Sequence, residues 1–198
     1  MQETPRDLAE CVQRALAGDQ AAARELIERL YPLVSKIVRA HVPDRHQQEE
    51  WEQEVFLRMF DRLPQYRGDA PLEHWLAKIS VHVCLDALRS RRRRPELRWA
   101  DLSPEEADLV QTAPDRHAPA NNGQALAARE LAQKMLDTLE PDDRLIVQMI
   151  DMEDRSVADV ARLTGRSQTA VKVRAFRARR KLRSVWRRLI DEPPAERT

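Results

Sequence analysis

The chain has 198 residues, is 42% hydrophobic and 34% charged, and sets 34 Lys and Arg against 33 Asp and Glu for a formal net charge of +1. That length holds one or two small domains, and only four glycines leave little for tight β-turns, so the reading is all-α. No apolar run approaches the roughly 18 residues that cross a bilayer, and the opening MQETPRDLAE lacks the basic-then-apolar order of a secretory leader; a cytoplasmic protein without membrane insertion is expected.

Leu8 to Ala17 reads as a short helix stopped by Gly18. Asp19 can cap a second helix, in which Ala22, Leu26, Leu30, Leu33, Ile37 and Val38 form an apolar stripe and Pro32 is expected to bend or split the run. Cys11 and Cys84 have no CxxC partner and no His at ligand spacing. They read as reduced thiols, and no metal and no cofactor are expected.

After a loop at Pro43-Asp44, a helix is expected over about Gln47 to Leu63. Trp51, Val55, Phe56, Met59, Phe60 and Leu63 make its buried side. Glu49, Glu50, Glu52, Gln53 and Glu54 load its first turns with more acid than the helix dipole asks for, which points to an exposed acidic patch facing a basic partner. Pro64 to Asp69 is a loop holding Tyr66, Arg67 and Gly68. Leu72, Trp75, Leu76, Ile79, Val83 and Ala87 then mark a long helix that runs into Arg89 and Arg91 to Arg94 and stops at Pro95. An aromatic loop beside a basic helix is the pairing expected for single-stranded nucleic acid, because bases stack and phosphates follow the charge.

Trp99 to Gln124 reads as a linker, with Pro104, Pro114, Pro119, Asn121-Asn122-Gly123 and several acids, and with room for a short helix over Pro104–Val110. Helical periodicity returns at Ala125, through Leu131, Met135, Leu136 and Leu139, and again from Pro141 through Leu145, Ile146, Met149 and Ile150. Ser156 stands three residues before Asp159, as in a capping box, and opens a two-turn helix. Gly165 can end that helix in the left-handed conformation, and Ser167 can cap the next. Val171, Ala175, Ala178, Leu182, Val185 and Leu189 give the last helix one apolar stripe, and no acid occurs from Arg166 to Arg188. Cap, glycine turn and basic second helix together describe a DNA-reading helix-turn-helix, with Gln168, Thr169, Lys172 and Phe176 off the buried stripe in the half that enters a groove.

Three stretches, GDQAAARELIERLYPLVSKIV, EQEVFLRMFDRLPQYRGDAPLEHWLAKISVHVCLDALRSRRRR and LDTLEPDDRLIVQMIDMEDRSVADVARLTGRSQTAVKVRAFRARRKLR, together resemble the extracytoplasmic-function group of bacterial RNA polymerase sigma factors. The resemblance implies two small helical domains on a flexible linker: residues 1–96 for polymerase docking and the minus-10 element, 97–124 as tether, and 125–198 with the helix-turn-helix for the minus-35 element. It implies core polymerase and promoter DNA as partners, an anti-sigma factor or other regulator as a third, and no catalysis. Glu49, Glu50, Gln53, Glu54 and Arg58 would face the polymerase. Tyr66, Arg67, Gly68, Asp69, Ala70, Trp75, Lys78, His82, Arg89, Arg91 and Arg92 would handle the minus-10 element. Arg166, Gln168, Thr169, Lys172, Arg174, Phe176, Arg177 and Arg179 would meet the minus-35 element. The chain departs from the family pattern at Gln47, where an Asp is usual, at Trp51-Glu52, where Leu-Val is usual, and at His82, where an Asn is usual. A helix-turn-helix regulator acting on duplex DNA alone is the alternative; EQEVFLRMF and the arginine-rich helix end have no place in it.

Overall fold

The computed structural model describes residues 5–42, 44–90, 96–112 and 122–191. All regular structure among them is helical, and the chain divides into two compact units, one of residues 1–91 with 158–167 and one of 92–157 with 168–198.

In the first unit, α1 (Pro5–Leu16), α3 (Arg45–Arg62) and α4 (Leu72–Ser90) pack on α2 (Gln20–His41). The Asp19 carboxylate accepts from the amides of Ala21 and Ala22 at 2.8 and 3.2 Å and so caps α2. Arg14 at 2.6 Å, together with that cap, holds the Asp19 carboxyl below its ordinary range. Pro32 does not split α2. It is exposed, as is Glu28, so the carbonyl that loses its donor faces water rather than the core. Leu26, Leu30, Val34 and Val38 of α2 are buried, as are Val55 and Met59 of α3 and Leu76 and Val83 of α4, the two helices that pack on it. Both cysteines are buried, free thiols, and burial raises the Cys11 thiol pKa.

α8 (Val157–Thr164) buries Val160, Ala161 and Leu163. It ends as expected on Gly165, at φ +67°, with the Arg166 amide donating back to the Ala161 carbonyl at 3.0 Å, the long-range bond of a Schellman cap.

The second unit is built on α6 (Asn122–Asp137), α7 (Pro141–Val147, continued by a π turn over Gln148–Met152) and α9 (Gln168–Asp191). Leu136, Leu139, Val147 and Ala178 form one cluster, with Leu182 against it. The expectation of an open linker is corrected over its first half. Leu97, Leu109 and Val110 are buried with Ala127, Leu131, Val185 and Leu189, and Trp99, Leu102, Met135 and Trp186 pack around them. The segment carries α5 (Pro104–Thr112), which starts with a reciprocal cap between Ser103 and Glu106. Glu106 is fully buried and takes the Lys134 ammonium at 2.6 Å, while the same ammonium donates to the Asp101 carbonyl at 2.7 Å. Residues 113–121 of the expected tether lie outside the described residues, and its last three, 122–124, already belong to α6.

Candidate nucleic-acid interface

The acidic face of α3 is narrower than its sequence suggests. Glu49, Glu50 and Gln53 are exposed, but Glu52 is only 4% exposed and accepts from the Tyr31 hydroxyl at 2.9 Å, with the Arg39 guanidinium 3.7 Å away. Trp51, expected on the buried side, is half-buried. Glu54 and Arg58 pair at 2.7 Å, and Arg58 also donates to Asp86 of α4 at 2.7 Å. Asp86 first, and Glu54 after it, raise the Arg58 pKa, so this arginine is held inside its own unit. Beside the acids, Ile27, Tyr31, Phe56, Leu57 and Phe60 line an open cleft of about 530 Å³ between α2 and α3, with Leu57 62% exposed. The cleft went unseen in the sequence because its residues come from two helices.

The loop after α3 is held by two contacts. The Tyr66 hydroxyl donates to the Ala70 carbonyl at 2.6 Å, and its ring sits 5.3 Å from Trp75, tilted by 49°. Burial first, then the charges of Glu73 and Asp69, raise the Tyr66 pKa, so the hydroxyl stays a donor. Gly68 sits at φ +77°, a conformation that side chains with a Cβ rarely adopt. Arg67, Gly68, Asp69 and Ala70 are exposed around this pair. On α4, Lys78 is exposed and its carbonyl lies 2.7 Å from His82 Nδ1, which must therefore be the donor and leaves Nε2 as an acceptor in the neutral ring. Arg89 is exposed and 3.6 Å from Asp86. Arg91 and Arg92 lie outside the described residues.

On α9 the stripe is buried as expected at Val171, Ala175, Ala178, Val185 and Leu189, with Leu182 half-buried. Gln168, Thr169, Lys172, Phe176 and Arg177 are exposed, Phe176 at 61%. Arg174 instead donates to Asp143 at 2.6 Å, and Arg179 to Asp151 at 2.9 Å, a pairing that raises the Arg179 pKa. These two arginines brace α9 on the acids of α7 and the π turn. Arg166 is half-buried. Among the described residues no group of carboxylates, histidines and cysteines could hold a metal ion, and no helix is long and apolar enough to cross a membrane.

Among the described residues the chain is helical, with a glycine turn at Gly165 before a last helix whose exposed face is cationic. The sequence also matches the family models for Sigma-70 region 2 over residues 26–94 and for Sigma-70, region 4 over residues 129–182. It is 34% identical over 172 residues to the probable RNA polymerase sigma factor RfaY of Xanthomonas campestris, covering 86% of this chain but 42% of that protein. It is 29% identical over 177 residues to the ECF RNA polymerase sigma factor SigM of Mycobacterium tuberculosis, covering 89% of this chain and 83% of that one. The fold is shared with CnrH, solved in complex with the cytosolic domain of CnrY, at a TM-score of 0.54 and 20% identity over 88% of this chain and 94% of that one. The chain belongs to the extracytoplasmic-function group of the sigma-70 family.

Proposed function

We propose that the chain binds core RNA polymerase in the cytoplasm and directs it to promoters, recognising two elements and opening the duplex at one of them. The observation that supports this best is the order of two matched modules: region 2, which holds the α3 face and the Tyr66 loop, then region 4, which holds α9 as far as Leu182. The exposed acids of α3 and the apolar cleft beside them suit a basic, amphipathic helix of the polymerase. Flipping a base out of the stack costs a few kcal/mol. The Tyr66–Trp75 pair offers a stacking surface, and Arg67, Lys78 and Arg89 offer cations to the phosphates. Gln168, Thr169, Lys172, Phe176 and Arg177 would meet the upstream element in the major groove, where phosphate contacts position the helix and base-edge contacts choose the sequence. Arg58, Arg174 and Arg179 are assigned to bracing rather than to contact, since each donates to a carboxylate of another element at 2.6 to 2.9 Å, a closer pairing than the 3.6 Å between Arg89 and Asp86. The chain needs no chemistry of its own, because RNA synthesis belongs to the polymerase. An anti-sigma factor or other regulator is proposed as a further protein partner. Run-off transcription on promoter fragments is the test: core polymerase with this chain starts at a defined site, and core alone does not. Duplex binding by the chain with no polymerase-dependent start would favour the regulator instead.

A further inference from the structure

The region-4 match ends at residue 182, but α9 continues to Asp191. The extension is not a loose tail. Its inner side, Val185 and Leu189, is buried against Leu97, Leu109, Val110, Ala127 and Leu131, so the segment before α6 builds a second small core under the end of α9. Its outer side continues a line that starts in the proposed DNA-reading half. Thr169, Lys172, Phe176, Arg180, Arg183 and Arg187 follow one another in steps of three and four, which keeps them on one helix face, and all are exposed. Among the described residues no ion pair engages Arg180, Arg183 or Arg187, in contrast to Arg174 and Arg179 on the flanks.

Length then sets what this line can touch. From Thr169 to Arg187 the face runs about 27 Å at 1.5 Å per residue, whereas the major groove is about 12 Å wide. A helix whose first half lies in the groove must carry its second half over the phosphate strand that bounds it. At that point the face changes from mixed to purely cationic. We infer that Arg180, Arg183 and Arg187 form a phosphate-binding site for duplex DNA, held in place by the folded segment Leu97–Thr112 and additional to the base-reading residues. The inference rests on the assignment of α9 to DNA, but it predicts a contribution independent of sequence.

The test is the affinity of the full chain for a short promoter duplex and for a scrambled duplex, by fluorescence anisotropy across a salt series. Each lost phosphate contact lowers the slope of log K on log salt by about 0.9. The triple variant Arg180→Gln, Arg183→Gln, Arg187→Gln should lower it by about 2.7, so that its deficit against the unsubstituted chain shrinks roughly 40-fold between about 50 and 200 mM salt. The promoter-to-scrambled ratio should stay unchanged, while Lys172→Ala should lower that ratio. An unchanged slope in the triple variant, or no measurable duplex affinity in the unsubstituted chain, overturns the site. An unchanged slope with weakened core-polymerase binding would assign the arginines to an acidic protein surface. Run-off transcription separates the two levels: a triple variant that still directs core polymerase, with its slope unchanged, removes the phosphate site and leaves the sigma-factor reading standing.

Discussion

Replacing Leu109 by Ala tests whether the segment before α6 belongs to the folded second unit. Leu109 is 6% exposed and packs with Leu131, Val185 and Leu189. A buried Leu→Ala change costs about 2–5 kcal/mol, less where neighbours can close the gap. This cluster sits under a short helix and can close partly, so about 2–3 kcal/mol is expected, a fall of roughly 4–12 °C in the midpoint at 2–4 °C per kcal/mol. The assay is thermal and urea unfolding followed by far-ultraviolet circular dichroism. Leu126→Ala is the control: its side chain is 59% exposed, so the change should stay within about 0.5 kcal/mol. Equal midpoints for Leu109→Ala and Leu126→Ala would refute the packing and return the segment to a tether.

Phe176→Ala should leave stability within about 0.5 kcal/mol, because the ring is 61% exposed, yet weaken binding to the upstream promoter element by about 1–3 kcal/mol if the ring meets a base edge. Glu50→Lys should weaken core-polymerase capture without moving the melting curve. Arg58→Ala should lower the melting curve, by about 1 kcal/mol for a half-buried ion pair, and polymerase capture that falls with Arg58→Ala at unchanged stability would return that residue to the docking face. Gly165→Ala should cost about 1 kcal/mol, since φ is +67° and no atom lies within 4 Å of the added methyl, so backbone strain is the only penalty. A neutral substitution there would contradict the left-handed cap.

The residues that were legible in sequence are those whose signal is local. The α9 stripe, the Gly165 turn and the Asp19 cap each lie within one or two helical turns. What escaped depends on partners far along the chain. Glu52 stood among solvent-facing acids by composition, and only the α2 hydroxyl of Tyr31 shows why it is buried. Arg174 and Arg179 looked like part of a uniform basic face, but Asp143 and Asp151, near 30 residues upstream, neutralise them. The linker misled through composition: its prolines and acids hid Ser103-Pro104-Glu105-Glu106, a capping signature with proline at the first helical position, followed by the apolar pair Leu109-Val110. Trp99 and Leu102 before that cap were a second available sign.

Permanganate reactivity of promoter thymines in the presence of core polymerase tests the division of labour most directly. The account predicts that the unsubstituted chain opens the duplex at the downstream element, that Tyr66→Ala with Trp75→Ala abolishes opening while upstream protection persists, and that Phe176→Ala with Lys172→Ala loses upstream protection first. Full opening by the Tyr66 and Trp75 variant would contradict it.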